Sequence, residues 1–286
     1  MVSNLLFYLK ASRPGLWFAA IWLYILPTGQ MESLLDSWTF WYGLFYVTFP
    51  LNFIVYGWND IVDYEIDKHN KRKDSFWFGA RASKVQLDKL GKVIVLVQVL
   101  FFTPLLFFSD WKISLVYAAF ILINGLYNLP GKGLRTLPPF ELLAQIGYLL
   151  IVPLSIYIND TQNIPILTYV YLLLFAWQSH LMGEVMDIEP DRASGRITTA
   201  TILGIIKTKW LIISIVITEV LLMFLVYEEY IFGGFLALGL IWLLADVLVL
   251  FKGKTHTLGQ MKLFALGSNA VAFITMIYVW YSGCLI

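Results

Sequence analysis

Charge is scarce in this chain. Of 286 residues only 14% are Asp, Glu, Lys or Arg, against roughly 25% in an ordinary soluble domain. A single aqueous-phase core has no use for a chain that is 59% hydrophobic. The charges nearly cancel, to a net +1, so no bulk electrostatic partner such as nucleic acid is implied. Cysteine is scarcer still. Cys284 stands alone, which excludes an intrachain disulfide and any cysteine-based metal cage. It reads as a small apolar residue at the last helix end. Low-complexity runs and flexible linkers are also missing.

What abounds is apolar length. A bilayer core takes about 20 mostly apolar residues per helix. Nine segments qualify, near 14–30, 37–60, 87–109, 111–129, 139–159, 164–187, 205–227, 230–251 and 261–282. The first carries Arg13 and Pro14 at its start and has no small-residue cleavage site, so it reads as a span and not a cleaved signal peptide. The expected fold is all-α, a polytopic membrane protein with nine transmembrane helices in one domain, 1–286. Trp38, Trp41, Trp111, Tyr157, Tyr278, Trp280 and Tyr281 near the span ends suit an interfacial belt.

Lysine and arginine orient these spans. Nineteen of the 20 basic residues fall on one side of the alternation, and only Lys112 lies opposite. The opposite loops hold Glu32, Asp36, Asp110, Asp160, Glu228 and Glu229. The positive-inside rule makes the basic side cytoplasmic. The expectation is an inner (plasma) membrane protein with its N-terminus cytoplasmic and its C-terminus on the other side.

Against this background residues 51–67, "LNFIVYGWNDIVDYEID", stand out. At about 100° per residue, Asp60, Asp63 and Asp67 share one helix face, and Asn59 and Asp63 lie one turn apart. A second stretch, "HLMGEVMDIEPDRASGRITTA", places Glu184, Asp187 and Asp191 on another stripe. Pro190 predicts a helix break between Asp187 and Asp191. Both clusters end spans at the cytoplasmic face, which suggests an internal pseudo-repeat. Carboxylates so close raise one another's pKa unless a cation lies between them. Mg²⁺ binds through one or two carboxylates plus substrate phosphates. Two opposed clusters could therefore hold Mg²⁺ ions around a diphosphate, with Lys71, Arg72, Lys132, Arg135 and Arg192 gripping its oxygens. The plainer reading makes these acids solvated helix ends.

"NDIVDYEID" resembles the NDxxDxxxD motif of the UbiA superfamily of intramembrane prenyltransferases, and "DIEPD" resembles its DxxxD motif. "SRPGLWF", "YGWNDIVDYEIDKHNKRK", "YNLPGKGLRTLPP" and "DIEPDRASGRITTATILG" look like its lycopene elongase branch. The resemblance implies a helical bundle with a central cavity open to lipid, a prenyl diphosphate donor, Mg²⁺, and a hydrophobic acceptor, either a polyene or a quinone precursor. It implies Asn59, Asp63, Asp67, Asp187 and Asp191 as metal ligands, with Asp60 a ligand or an acceptor that orients a basic side chain. Glu184 or Asp191 would be the base. Two departures stand out. The YxxxK element of quinone-type members is replaced by Tyr127 with Lys132 five residues on and Arg135 beyond. "KRKDSFWFGAR" stands where an Arg-Pro pair is common. His180, one turn before Glu184, reads as a hydrogen-bonded buried histidine or a proton acceptor, and His69 and His256 as loop residues. The competing class is a cation-coupled transporter, which predicts ionisable groups near the midplane. Glu219 and Asp246 are the in-span acids outside the clusters.

Overall fold

The computed structural model describes residues 2–67, 70 and 72–286. Among these the elements are helical: α1 Val2–Ala11, α2 Trp17–Ile25, α3 Trp38–Val62, α4 Tyr64–Asp67, α5 Lys84–Phe102, α6 Leu105–Phe108, α7 Ile113–Tyr127, α8 Phe140–Leu143, α9 Ile146–Leu149, α10 Ile151–Asn159, α11 Ile166–Ala193, α12 Thr199–Leu203, α13 Ile205–Leu225, α14 Tyr230–Ala245 and α15 Leu258–Ser282. A π-helical turn, Asp246–Leu250, continues α14.

Among the described residues six stretches are long and apolar enough to cross a membrane: Lys84–Phe108, Phe140–Asn159, Ile166–Ala193, Ile205–Leu225, Tyr230–Leu250 and Leu258–Ser282. They carry outward apolar faces, such as Val95, Leu96, Val99 and Leu100 on α5, which lipid and not water would cover. The chain is an integral membrane protein. The other three expected spans fall short for distinct reasons. α2 has only 9 residues, bracketed by 3₁₀ turns at Pro14 and Pro27. α7 has 15. α3 has 25, but Asn52, Asn59 and Asp60 lower its apolar character.

Pro50 sits inside α3, where its ring removes a backbone donor. Asn52 repairs the loosened turn, its amide donating to the carbonyls of Val47 and Thr48 at 2.8 Å each. Gln98 of α5 donates to the Pro50 carbonyl (2.7 Å) and accepts from Tyr46 (2.9 Å), fastening the two helices across the proline. A second polar tie joins α2, α3 and α10. Tyr24 donates to the Phe40 carbonyl at 2.9 Å, and Asn159 donates to the Tyr24 hydroxyl at 3.1 Å. Gly43 permits this approach, since a Cβ there would lie 2.1 Å from the Tyr24 oxygen.

α11 is the longest element, 28 residues, or roughly 42 Å at about 1.5 Å per residue against a hydrocarbon core of about 30 Å. It packs along α13, which packs along α14. The in-span acids are engaged. Glu219 accepts from Gln178 at 2.8 Å, and Asp246 pairs with Lys209 at 2.5 Å and His256 at 3.0 Å. Of the residues expected in an aromatic belt, Trp38, Trp41, Trp111 and Tyr281 are exposed. Trp280 instead turns inward and donates to Thr28 at 3.2 Å.

Candidate active site

The first acidic stretch stays close to helical. α3 ends at Val62, Asp63 caps it with its N–H on the Asn59 carbonyl at 2.8 Å, and α4 follows, with Asp67 N–H on the Asp63 carbonyl at 2.8 Å. The second stretch differs from expectation. α11 passes through Pro190 unbroken to Ala193. Proline there removes one hydrogen bond in the last turn, where the helix is about to end anyway. Gly195, at φ 72°, then reverses the chain so that Arg196 N–H reaches the Asp191 carbonyl at 2.9 Å.

The two stretches meet through Arg196. Its Nη1 lies 3.4 Å from Asp63 and 3.6 Å from Asp191, so one guanidinium spans both clusters. Arg135 pairs with the other carboxylate oxygen of Asp63. Asp60 accepts from Arg13 at 2.9 Å and from Lys73 at 2.6 Å, and Lys73 also reaches Asp67 at 2.7 Å. Arg72 pairs with Asp187, and the Asn70 amide donates to the same carboxylate at 3.3 Å, which ties these two residues to α11. Asp60, Asp63 and Asp191 are buried, a placement carboxylates tolerate only when paired. Burial pushes the Asp67 carboxyl up to about 6, against the pull of Lys73.

Not every expected residue comes to this place. Lys132, in the exposed turn between Gly131 and Gly133, makes no ion pair among the described residues. Arg192 is also exposed, one helical step of about 100° away from Asp191. Lys71 and His69 lie outside the described residues. Tyr127 packs edge-on to His180, ring centroids 6.3 Å apart. Glu184 faces His180 at 3.2 Å and accepts the Ala200 N–H at 2.9 Å, so both of its oxygens are engaged. Arg13, Lys73 and Arg196 were not singled out from the sequence. The usable signal was that buried carboxylates need partners, and these cations lie within reach of the motifs once the chain folds.

The donor set expected from the sequence is all oxygen: Asn59, Asp63, Asp67, Asp187 and Asp191. Such ligands suit a hard divalent cation. Asn59 is half-buried, and its side chain makes no hydrogen bond among the described residues. Among those residues, no three His, Cys, Asp or Glu side chains converge closely enough to hold an ion, because Arg and Lys side chains stand between the carboxylates. The cations in turn keep unused donors. The Nε atoms of Arg72, Arg135 and Arg196 are buried without partners. Buried guanidinium donors beside carboxylates fit a multiply charged phosphate anion with its counter-cations. A small cleft lined by Asp60, Tyr64, Asp67, Ala80, Arg81 and Ala82 opens beside the first cluster.

Known proteins resemble this chain in sequence and in fold. The profile of the UbiA prenyltransferase family matches residues 16–277. A lycopene elongase/hydratase from Corynebacterium glutamicum is 27% identical over 212 residues, 71% of each chain. One from Haloferax volcanii is 28% identical over 214 residues, 73% of this chain and 68% of that one. In fold, the chain is similar to a UbiA homolog from Archaeoglobus fulgidus, solved bound to DMAPP and Mg²⁺. The TM-score is 0.68 at 16% identity, covering 94% of this chain and 99% of that one.

Proposed function

The chain belongs to the UbiA prenyltransferase family, and from that membership we propose that it moves a short allylic prenyl group onto a carotenoid polyene such as lycopene, with Mg²⁺. The observation that carries this reading is the single guanidinium of Arg196 spanning Asp63 and Asp191, which makes two acidic stretches one site. Asn59, Asp63, Asp67, Asp187 and Asp191 would hold the metal. Bound there, Mg²⁺ would supply Lewis-acid neutralisation of the leaving diphosphate. Arg72, Arg135 and Arg196 offer their free Nε donors to its oxygens. Asp60 serves as an acceptor that holds Arg13 and Lys73 in place.

The reaction then balances simply. The allylic C–O bond breaks, diphosphate leaves, and the terminal double bond of the polyene attacks the allylic carbon. The resulting tertiary cation loses a proton to a carboxylate, Asp191 being the candidate since both oxygens of Glu184 are engaged, or takes up water and releases a proton. A hydrocarbon acceptor needs no buried polar clamp, whereas a quinone precursor brings a carboxylate or phenol that must be paired. The names of the two bacterial and archaeal relatives support the polyene reading.

Purified protein given dimethylallyl diphosphate, Mg²⁺ and either lycopene or an aromatic acid tests the acceptor. Prenylated lycopene is expected, seen by mass analysis as an added C5 unit with or without water. Prenylation of the aromatic acid alone would reject the carotenoid reading and keep the site.

The finer topology is also a proposal: nine crossings, a cytoplasmic N-terminus and a central cavity open to lipid. In a Cys284→Ser background, a cysteine replacing Ser75 should label from the cytoplasmic side only, and one replacing Asp160 from the opposite side only. Reversed labelling would overturn the orientation.

A further inference from the structure

The segment "GRITTATILG" follows the second acidic stretch, and the reaction above uses only its arginine. The remainder is held with unusual thoroughness. α12 is 5 residues long, yet its first three N–H groups each meet a side-chain acceptor. Thr199 N–H and the Thr199 hydroxyl donate to Glu141 Oε1, the former at 3.0 Å. Ala200 N–H donates to Glu184 Oε2 at 2.9 Å. Thr201 N–H donates to the Thr198 hydroxyl at 3.2 Å. One capping side chain commonly suffices for a helix start. Here two buried glutamates are added, Glu141 at 0% and Glu184 at 7% exposure, and burying carboxylates costs free energy.

The two glutamates are themselves tied together. Gln145 donates to the Glu141 carbonyl at 3.2 Å, which turns its amide nitrogen toward His180 Nδ1, 3.0 Å away. With Nδ1 as acceptor, Nε2–H of His180 donates to Glu184 at 3.2 Å. The result is a ring of hydrogen bonds through α8, α11 and α12. Arg196 stands just before this anchored turn. Its N–H is fixed on Asp191, and its carbonyl accepts from the Thr201 hydroxyl at 3.4 Å.

We infer that Glu141 and Glu184 are positioning residues that clamp the start of α12, thereby holding Arg196 between Asp63 and Asp191. This assigns a role to Glu141, which no motif contains, and makes Glu184 an anchor and not a base. The inference rests on the proposed reading of Arg196 as part of the diphosphate site.

A double-mutant cycle tests it. Thr199→Val keeps the backbone donor and deletes the hydroxyl. Glu141→Leu deletes the acceptor. Glu141→Gln keeps an acceptor and deletes the charge. Thr199→Val and Glu141→Leu should lower kcat/KM for dimethylallyl diphosphate about 10-fold, chiefly through KM, and Glu141→Gln should stay within about 2-fold of wild type. In an Arg196→Ala background the same changes should cost less than about 2-fold more, because the group they position is gone. Thermal unfolding should shift equally in both backgrounds, which separates folding from positioning. A full 10-fold loss in the Arg196→Ala background, or wild-type kinetics for both Thr199→Val and Glu141→Leu, would overturn the clamp. Thr199→Val carries the cycle should Glu141→Leu not fold. Unchanged transfer by Arg196→Ala alone would instead overturn the site reading beneath it.

Discussion

Asp63→Asn should lower prenyl transfer by on the order of 10²-fold or more, with the protein still inserted and folded. Asp63 is the residue on which the site converges, buried at 3% exposure and held by Arg135 and Arg196. Asparagine keeps the shape and an acceptor oxygen. It removes the negative charge that both guanidiniums face and that a hard cation requires. Alanine is a poorer probe, since truncating one member of a buried ion pair leaves the others uncompensated and costs about 3–5 kcal/mol of stability. The measurement is single-turnover prenyl transfer across Mg²⁺ concentrations, beside a thermal unfolding curve. Transfer within a few-fold of wild type, unaffected by excess EDTA, would remove Asp63 from the metal site and the metal from the reaction.

Arg135→Ala should cost on the order of 10²-fold in kcat/KM for the allylic diphosphate, while Lys132→Ala should remain within about 2-fold. The sequence offers both as the cation after the α7 segment. The structure separates them. Arg135 is 7% exposed, paired with Asp63, and keeps a buried Nε with no partner. Lys132 is exposed. Arg135→Lys should recover little, because an ammonium does not reproduce the planar fork that engages a carboxylate on one edge and a phosphate on another. Equal losses at both positions, read as kcat/KM for dimethylallyl diphosphate, would contradict the assignment.

The parts of the site legible in the sequence are those set by a local period. The 100° helical step places Asp60, Asp63 and Asp67 together, and likewise Glu184, Asp187 and Asp191, and the structure keeps both stripes. Their partners are not local. Arg13 precedes Asp60 by 47 residues, and Arg196 follows Asp63 by 133, separations with no periodic signature. Arg192 was the nearer and more visible cation, but adjacency on a helix turns it away from Asp191. The same limit applied to the spans. Hydropathy found the apolar stretches, whereas the bracketing of α2 by Pro14 and Pro27 decided how much of one becomes α-helix. Pro190 misled in the other direction, since a proline in a final turn removes little.

Among the described residues Asp60, Asp63, Asp67, Asp187 and Asp191 are paired with Arg13, Arg72, Lys73, Arg135 and Arg196, five acids to five bases. Among the described residues each of these side chains thus already holds an oppositely charged partner from the chain. A divalent cation arriving alone would have to displace an arginine and leave it stranded, and a diphosphate arriving alone would have to do the same to a carboxylate. Arriving together, the two let every displaced group change partners without losing one. On the proposed assignment of these residues to metal and diphosphate, loading is expected to be cooperative, and by reciprocity each component would raise the affinity for the other by the same factor.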